Sequence, residues 1–191
     1  MAAEIALPPT DDVVDVLSRQ HDRARALLAE LHETVAAVAD ITGDMAEPFR
    51  ELVQLLVGHE TAEELVVYPA LRSELEEGRL VEARMAEEHE AKQLLARVEK
   101  MAAGFFAFPA ALGELEARVL AHAEQEEQTV LPLLEQRLPA GERQRLGADV
   151  LYAAARAPSH AHAHSPGSAV GHAVLDPVLA TIDRVRDAAR R

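Results

Sequence analysis

At 191 residues, with 33 acidic against 19 basic side chains and a formal charge of −14, the chain is long enough for one domain with a real core. It is also too acidic to favour nucleic acid or an anionic membrane surface, because it lacks phosphate-neutralising charge. The absence of cysteine excludes disulfides, thiolate metal ligands and cysteine nucleophiles. No apolar run approaches the roughly 18 residues of a membrane span. The N-terminus MAAEIALPPTDD lacks the basic-then-apolar order of a signal peptide, so a cytoplasmic protein is expected. Hydrophobic residues make up 49% and aromatics 3%, mostly Ala, Leu and Val interleaved with Glu and Arg, a composition for packed helices rather than strands.

The first helix is expected from Thr10, which would cap it, with Asp11 and Asp12 in its first turn. Leu17, His21, Ala24, Leu28, Leu31, Val35 and Val38 share a face at spacings of three and four. A second helix opens near Asp44 and presents Leu52, Leu56, His59, Glu63, Val66 and Ala70 before ending around residues 77 to 78. A third runs from about 80 to 101, with Val81, Met85, His89 and Ala96 roughly in line. Residues 102 to 108 form an apolar, phenylalanine-rich break. The fourth helix, about 109 to 138, aligns Leu112, Leu115, Val119, His122, Glu126, Val130 and Leu133. A short extra helix follows over residues 140 to 156.

These elements predict an all-α protein, an antiparallel four-helix bundle with additional short C-terminal helices. The bundle and its extra helix would occupy residues 1–156, with the core at 10–138. Residues 157–173 have the composition of a flexible, histidine-containing linker, and 174–191 that of an amphipathic helix suited to its own bundle or to a protein partner. Within the linker, His160, His162 and His164 alternate, so an extended backbone would turn them to one side as a surface metal site; a solvated tract is the simpler expectation.

Each long helix carries a histidine on its apolar face: His21, His59, His89 and His122. The second and fourth add a carboxylate one turn on, Glu63 and Glu126, and residues four apart lie on one side of a helix. A lone core histidine is ordinary, but a carboxylate on an apolar face is costly unless it is paired or metal-bound. Six such residues at one level of one core point to a metal site. Imidazole and carboxylate without thiolate suit iron or manganese, and zinc less specifically. Six ligands exceed one tetrahedral site and divide into two metals joined by two bridging carboxylates. The chain repeats accordingly. HETAEELVVYP (59 to 69) matches HAEQEEQTVLP (122 to 132), and QHDRARALL around His21 resembles EHEAKQLL around His89.

This pattern resembles the hemerythrin-like, or HHE cation-binding, domains, over about residues 10 to 138. The resemblance implies a four-helix bundle around two iron ions, oxo- or hydroxo-bridged, with manganese or zinc as other occupants. It assigns His21 and His59 to one iron, His89 and His122 to the other, and Glu63 and Glu126 as bridges. Glu60, beside His59, is the candidate extra ligand. Position 93 is glutamine where oxygen-carrying members have a further histidine, which argues against reversible oxygen carriage. The implied ligands are O2, peroxide or another small diatomic molecule. A catalase- or peroxidase-like oxidoreductase and a non-enzymatic iron or oxygen sensor, carrier or iron-handling protein both fit such a centre.

Pro69 and Pro132, each six residues beyond a proposed bridging glutamate, should bend their helices at residues 65 to 69 and 128 to 132. Tyr68 lies too far along its helix to reach the site unless the proline distorts that helix. Glu64 is expected to face solvent.

Overall fold

The computed structural model describes residues 11–37, 46–74, 77–101 and 108–161. Its helices are α1 (Val13–Ala37), α2 (Ala46–Ala62), α3 (Tyr68–Glu74), α4 (Gly78–Met101), α5 (Phe108–Gln128), α6 (Val130–Arg137) and α7 (Ala140–Ala154). A π-helical turn, Glu63–Val67, joins α2 to α3. The expected caps Thr10 and Asp44, the phenylalanine-rich residues 102 to 107, the tract from His162 onward and the helix at 174–191 lie outside the described residues. No described helix is long and apolar enough to cross a membrane.

The fold is the expected antiparallel four-helix bundle. Its members are α1, α2 with its continuation α3, α4, and α5 with α6. The extra helix α7 packs against α1, α2 and the π turn. The start of α1 is capped by Asp12, whose Oδ1 accepts from the Val14 amide at 3.0 Å. Arg143 of α7 then ties three elements together. It donates to Asp12 Oδ2 at 2.6 Å and to the carbonyls of Glu135 and Leu138 at 3.1 and 3.0 Å, satisfying acceptors at the end of α6. Gly147 lets α7 approach this corner, since a Cβ there would stand 2.1 Å from the Asp11 carbonyl oxygen.

The interior divides into two apolar clusters. One gathers Val16, Leu17, Val67, Leu71, Val81, Val130 and Leu134 with the face of α7. The other gathers Leu27, Leu28, Leu52, Leu56, Leu95, Leu112 and Leu115, closed by an edge-on contact of Phe49 with Phe108 at 5.4 Å. Along each bundle strand the polar residues fall between the two: His21 on α1, His59 and Glu63 on α2 and its continuation, Glu88 on α4, and His122 and Glu126 on α5. Burial of these apolar side chains, roughly 1.5–3 kcal/mol for each large one, supplies the stability that a buried polar layer costs.

Both prolines interrupt regular α geometry, though by different routes. Pro69 cannot donate to the Leu65 carbonyl. The chain takes up one extra residue in the preceding turn, and the Tyr68 amide donates to the Glu63 carbonyl five residues back. Pro132 leaves the Gln128 carbonyl without its usual donor. Here the helix breaks at Thr129 (φ −124°, ψ −58°), whose amide is shared between the carbonyls of Gln125 and Glu126 at 3.0 and 3.2 Å.

Candidate metal centre

Five of the six expected ligands meet in the polar layer. His21, His59, Glu63 and Glu126 are 0–4% exposed, and the His122 side chain 16%. His59 Nε2 lies 3.4 Å from Glu63 Oε2 and 3.9 Å from Glu126 Oε2. His122 Nε2 lies 3.6 Å from each of these oxygens. His21 Nε2 stands 3.4 Å from Glu126 Oε2. These separations are long for hydrogen bonds, but they match ligand-to-ligand edges around an ion, about 3.4 Å for a tetrahedron with bonds near 2.1 Å. One atom each from His59, Glu63, His122 and Glu126 can be chosen so that all four lie within 4.8 Å of one another.

The outer nitrogens fix the direction of two imidazoles. His21 Nδ1 donates to Glu127 Oε1 at 3.1 Å, and Glu127 is itself held by Arg25 at 2.8 and 2.9 Å. His59 Nδ1 donates to Gln20 Oε1 at 2.9 Å. An oxygen acceptor places the ring hydrogen on Nδ1, so Nε2 is left as a bare lone pair facing the layer. Nothing in the protein satisfies the inward atoms. The Nε2 atoms of His21, His59 and His122 and both oxygens of Glu63 and of Glu126 are buried with no hydrogen-bond partner. Three imidazole nitrogens and four carboxylate oxygens left in this state fit a cation, because buried polar atoms are otherwise paired.

The electrostatics agree. Burial and the neighbouring His21 push His59 down to about 3, so the ring stays neutral. Burial and the charge of Glu126 push Glu63 well above the usual carboxylate range. Burial would raise Glu126 too, but His122, His21, Glu63 and His59 together outweigh it and bring it down to about 2. Without a cation Glu63 therefore holds its proton far more tightly than Glu126 does. A metal must displace it, so affinity should rise with pH between the ordinary carboxylate range and the raised value of Glu63. Metal binding should therefore release a proton as the Glu63 carboxyl becomes a ligand. Calorimetric titration in buffers of different ionisation heats measures this directly.

His89 is not brought to the cluster. It lies exposed on the outer side of α4, where the side-chain amide of Gln93, one turn on and also exposed, stands 2.8 Å from its Nε2. The inward face of α4 is instead Val81, Arg84, Glu88, Lys92 and Leu95, spaced three or four apart. Polar contacts fix this rotation. Arg84 donates to Gln125 and to Glu87, Tyr68 donates to Glu88, and Lys92 pairs with Glu64. Successive helical positions diverge by about 100°, so Glu88 inward means His89 outward.

Several other residues stand differently from expectation. Glu64, in the π turn, is buried against Lys92 of α4 rather than solvent-facing. Tyr68 does reach the layer, at 1% exposure, because the π turn carries it inward, the distortion that its expected remoteness was conditional upon. Glu60 is buried and adds negative charge near Glu63, Glu88 and Lys92. His160, expected in a solvated tract, is buried against Glu99, which also accepts from the Ala161 amide at 3.1 Å. The sequence did carry a signal for Glu88 and Lys92, the charged residues of a helical stripe bounded by Val81 and Leu95. A search for apolar faces passes over it.

Comparison with known proteins agrees with this geometry. Residues 12–134 match the model of the hemerythrin HHE cation-binding domain. An uncharacterized hemerythrin-like protein of Schizosaccharomyces pombe (strain 972) is 31% identical over 139 residues, covering 72% of this chain and 68% of that protein. No solved structure matches. The chain belongs to the hemerythrin-like HHE cation-binding domain family.

Proposed function

We propose that the polar layer holds a non-haem iron pair and that the protein reacts there with dioxygen or peroxide. The observation carrying this is the set of buried nitrogens and carboxylate oxygens with no partner in the protein, converging from α1, α2, the π turn and α5. His21, His59 and His122 would hold metal on one side, with Glu63 and Glu126 shared across the centre. Nitrogen and oxygen donors without sulfur select iron or manganese over softer ions. When bound, the iron pair supplies the reversible electron transfer that O2 and peroxide chemistry requires.

The chain's own contribution is orientation and access. Gln20 and the Glu127–Arg25 pair aim two imidazoles. A small pocket between α1, α2 and α5 opens onto all three histidines and is walled by Ala24, Leu56 and Val119. Such a pocket suits a diatomic molecule or peroxide. Turnover separates an oxidoreductase from a sensor or iron-handling protein. Protein reconstituted with Fe(II) should release or consume O2 on addition of peroxide, and His59→Ala should abolish the response. Bound iron without turnover in the unaltered protein would assign the centre to sensing or iron handling instead.

A further inference from the structure

The three imidazoles of the centre are not held alike. His21 Nδ1 donates to Glu127, which Arg25 holds in turn, and His59 Nδ1 donates to Gln20. These two rings pack edge to face at 5.0 Å, and their side chains are 4% and 5% exposed. His122 shares only the inward half of this arrangement. Its Nε2 is buried and unpartnered like theirs, but among the described residues nothing accepts from its Nδ1. Its ring stands farther off, 5.9 Å from that of His59 and 6.5 Å from that of His21, and its side chain is 16% exposed.

The surroundings differ in the same sense. α5 buries Ala123 and Glu126 but leaves Leu120 36% exposed, and Leu120 and His122 line the same small pocket. The pocket therefore meets solvent beside His122. Turning the His21 or the His59 ring out of the layer would break its bond to a neighbouring helix, to Glu127 on α5 or to Gln20 on α1. Turning the His122 ring breaks no such bond, because water can pair its outer nitrogen in either position. An imidazole held at its outer nitrogen keeps its orientation and its basicity as a ligand, and one without that hold keeps neither so firmly.

We propose that His122 is the exchangeable member of the ligand set. Its ring swings out of the layer and leaves room for the small molecule that the pocket admits, while His21 and His59 stay in place. This rests on the polar layer being a metal centre. Gln20 and Glu127 are then the positioning residues that separate fixed ligands from the movable one.

Titration of the full-length protein with Co2+, followed through its visible ligand-field bands, orders the residues by what their loss costs. Gln20→Ala and Glu127→Ala leave every ligand present, yet should weaken binding by about 10–100-fold. His122→Ala and His122→Gln remove a ligand, yet should weaken it measurably by less than about tenfold. His21→Ala and His59→Ala should abolish the bands. Added imidazole should return His122→Ala to the unaltered spectrum and should not rescue His59→Ala. Proton resonance of the unaltered Co2+ protein, which needs no change at position 122, should show two ring N–H signals protected from solvent exchange, one lost in each of Gln20→Ala and Glu127→Ala. Loss of the bands in both His122 variants, with metal-free helix content intact by circular dichroism, overturns the proposal, as do three protected ring signals. An affinity unchanged in both His122 variants overturns it by removing His122 from the ligand set. Bands absent from the unaltered protein, or kept in His59→Ala, overturn the metal reading itself.

Discussion

Glu63→Gln should move the metal-free and metal-loaded proteins in opposite directions. In the metal-free chain Glu63 is fully buried, both its oxygens lack partners, and burial beside Glu126 raises its pKa. A carboxyl raised on folding binds its proton more tightly in the native state than in the unfolded one. Stability therefore falls as pH climbs from the ordinary carboxylate range through the raised value. The neutral amide is exempt from that loss, so at neutral pH the metal-free variant should be more stable by about 1–2 kcal/mol, or roughly 2–8 °C in thermal midpoint. With metal the sign reverses. Unaltered protein at a hundred-fold excess over Kd gains about 2.7 kcal/mol from the ion, and a variant lacking the shared carboxylate forfeits most of it. Thermal melts with and without Fe(II) or Mn2+ give both numbers. A variant that loses stability in the metal-free state and keeps its metal response would show Glu63 to be a structural residue.

Gly147→Val should lower the thermal midpoint by roughly 6–12 °C, a loss of about 3 kcal/mol. The obstacle is backbone on both sides. A Cβ at this position would lie 2.1 Å from the Asp11 carbonyl oxygen and 3.0 Å from the Val13 amide nitrogen. No rotamer change relieves such contacts, so α7 must move off the start of α1, straining the Arg143–Asp12 bond with it. Gly141, near the beginning of the same helix, has open space where a Cβ would stand, with nothing within 4 Å, so Gly141→Ala should be neutral or gain up to about 1 kcal/mol from helix propensity. Equal effects at the two glycines in thermal melts would mean that the α1–α7 corner does not limit stability.

Much of this architecture is legible in the chain because its apolar stripes have the helical period. Leu17, Leu28 and Leu31 on α1, and Leu112 and Leu115 on α5, are buried as their spacing requires. The H-x-x-x-E pairs at His59 and His122 come together because i and i+4 share a helix face on two facing helices. The fourth histidine is different. Val81, Met85, His89 and Ala96 offer an apolar alignment, whereas the packed face carries Arg84, Glu88 and Lys92, three charges whose burial is supported by partners on α5, by the neighbouring Glu87, and by the segment 64 to 68. That support is tertiary, and periodicity within one helix cannot display it. The extra residue of the π turn is equally silent. Pro69 marks where the α ladder must fail, but the same proline spacing yields a widened turn in one repeat and a break at Thr129 in the other.

The two apolar clusters have a consequence for cooperativity. Their side chains do not interlock across the polar layer, so the helical backbones and the layer itself couple the ends of the bundle. In the metal-free state the inward nitrogens and carboxyl oxygens of that plane have no hydrogen-bond partners, so it transmits little cohesion. A bound ion draws ligands from both hairpins onto one point and rivets the halves together. Metal occupancy then decides whether the interior melts as a single body or as two, and so how far a local opening at one end is felt at the other.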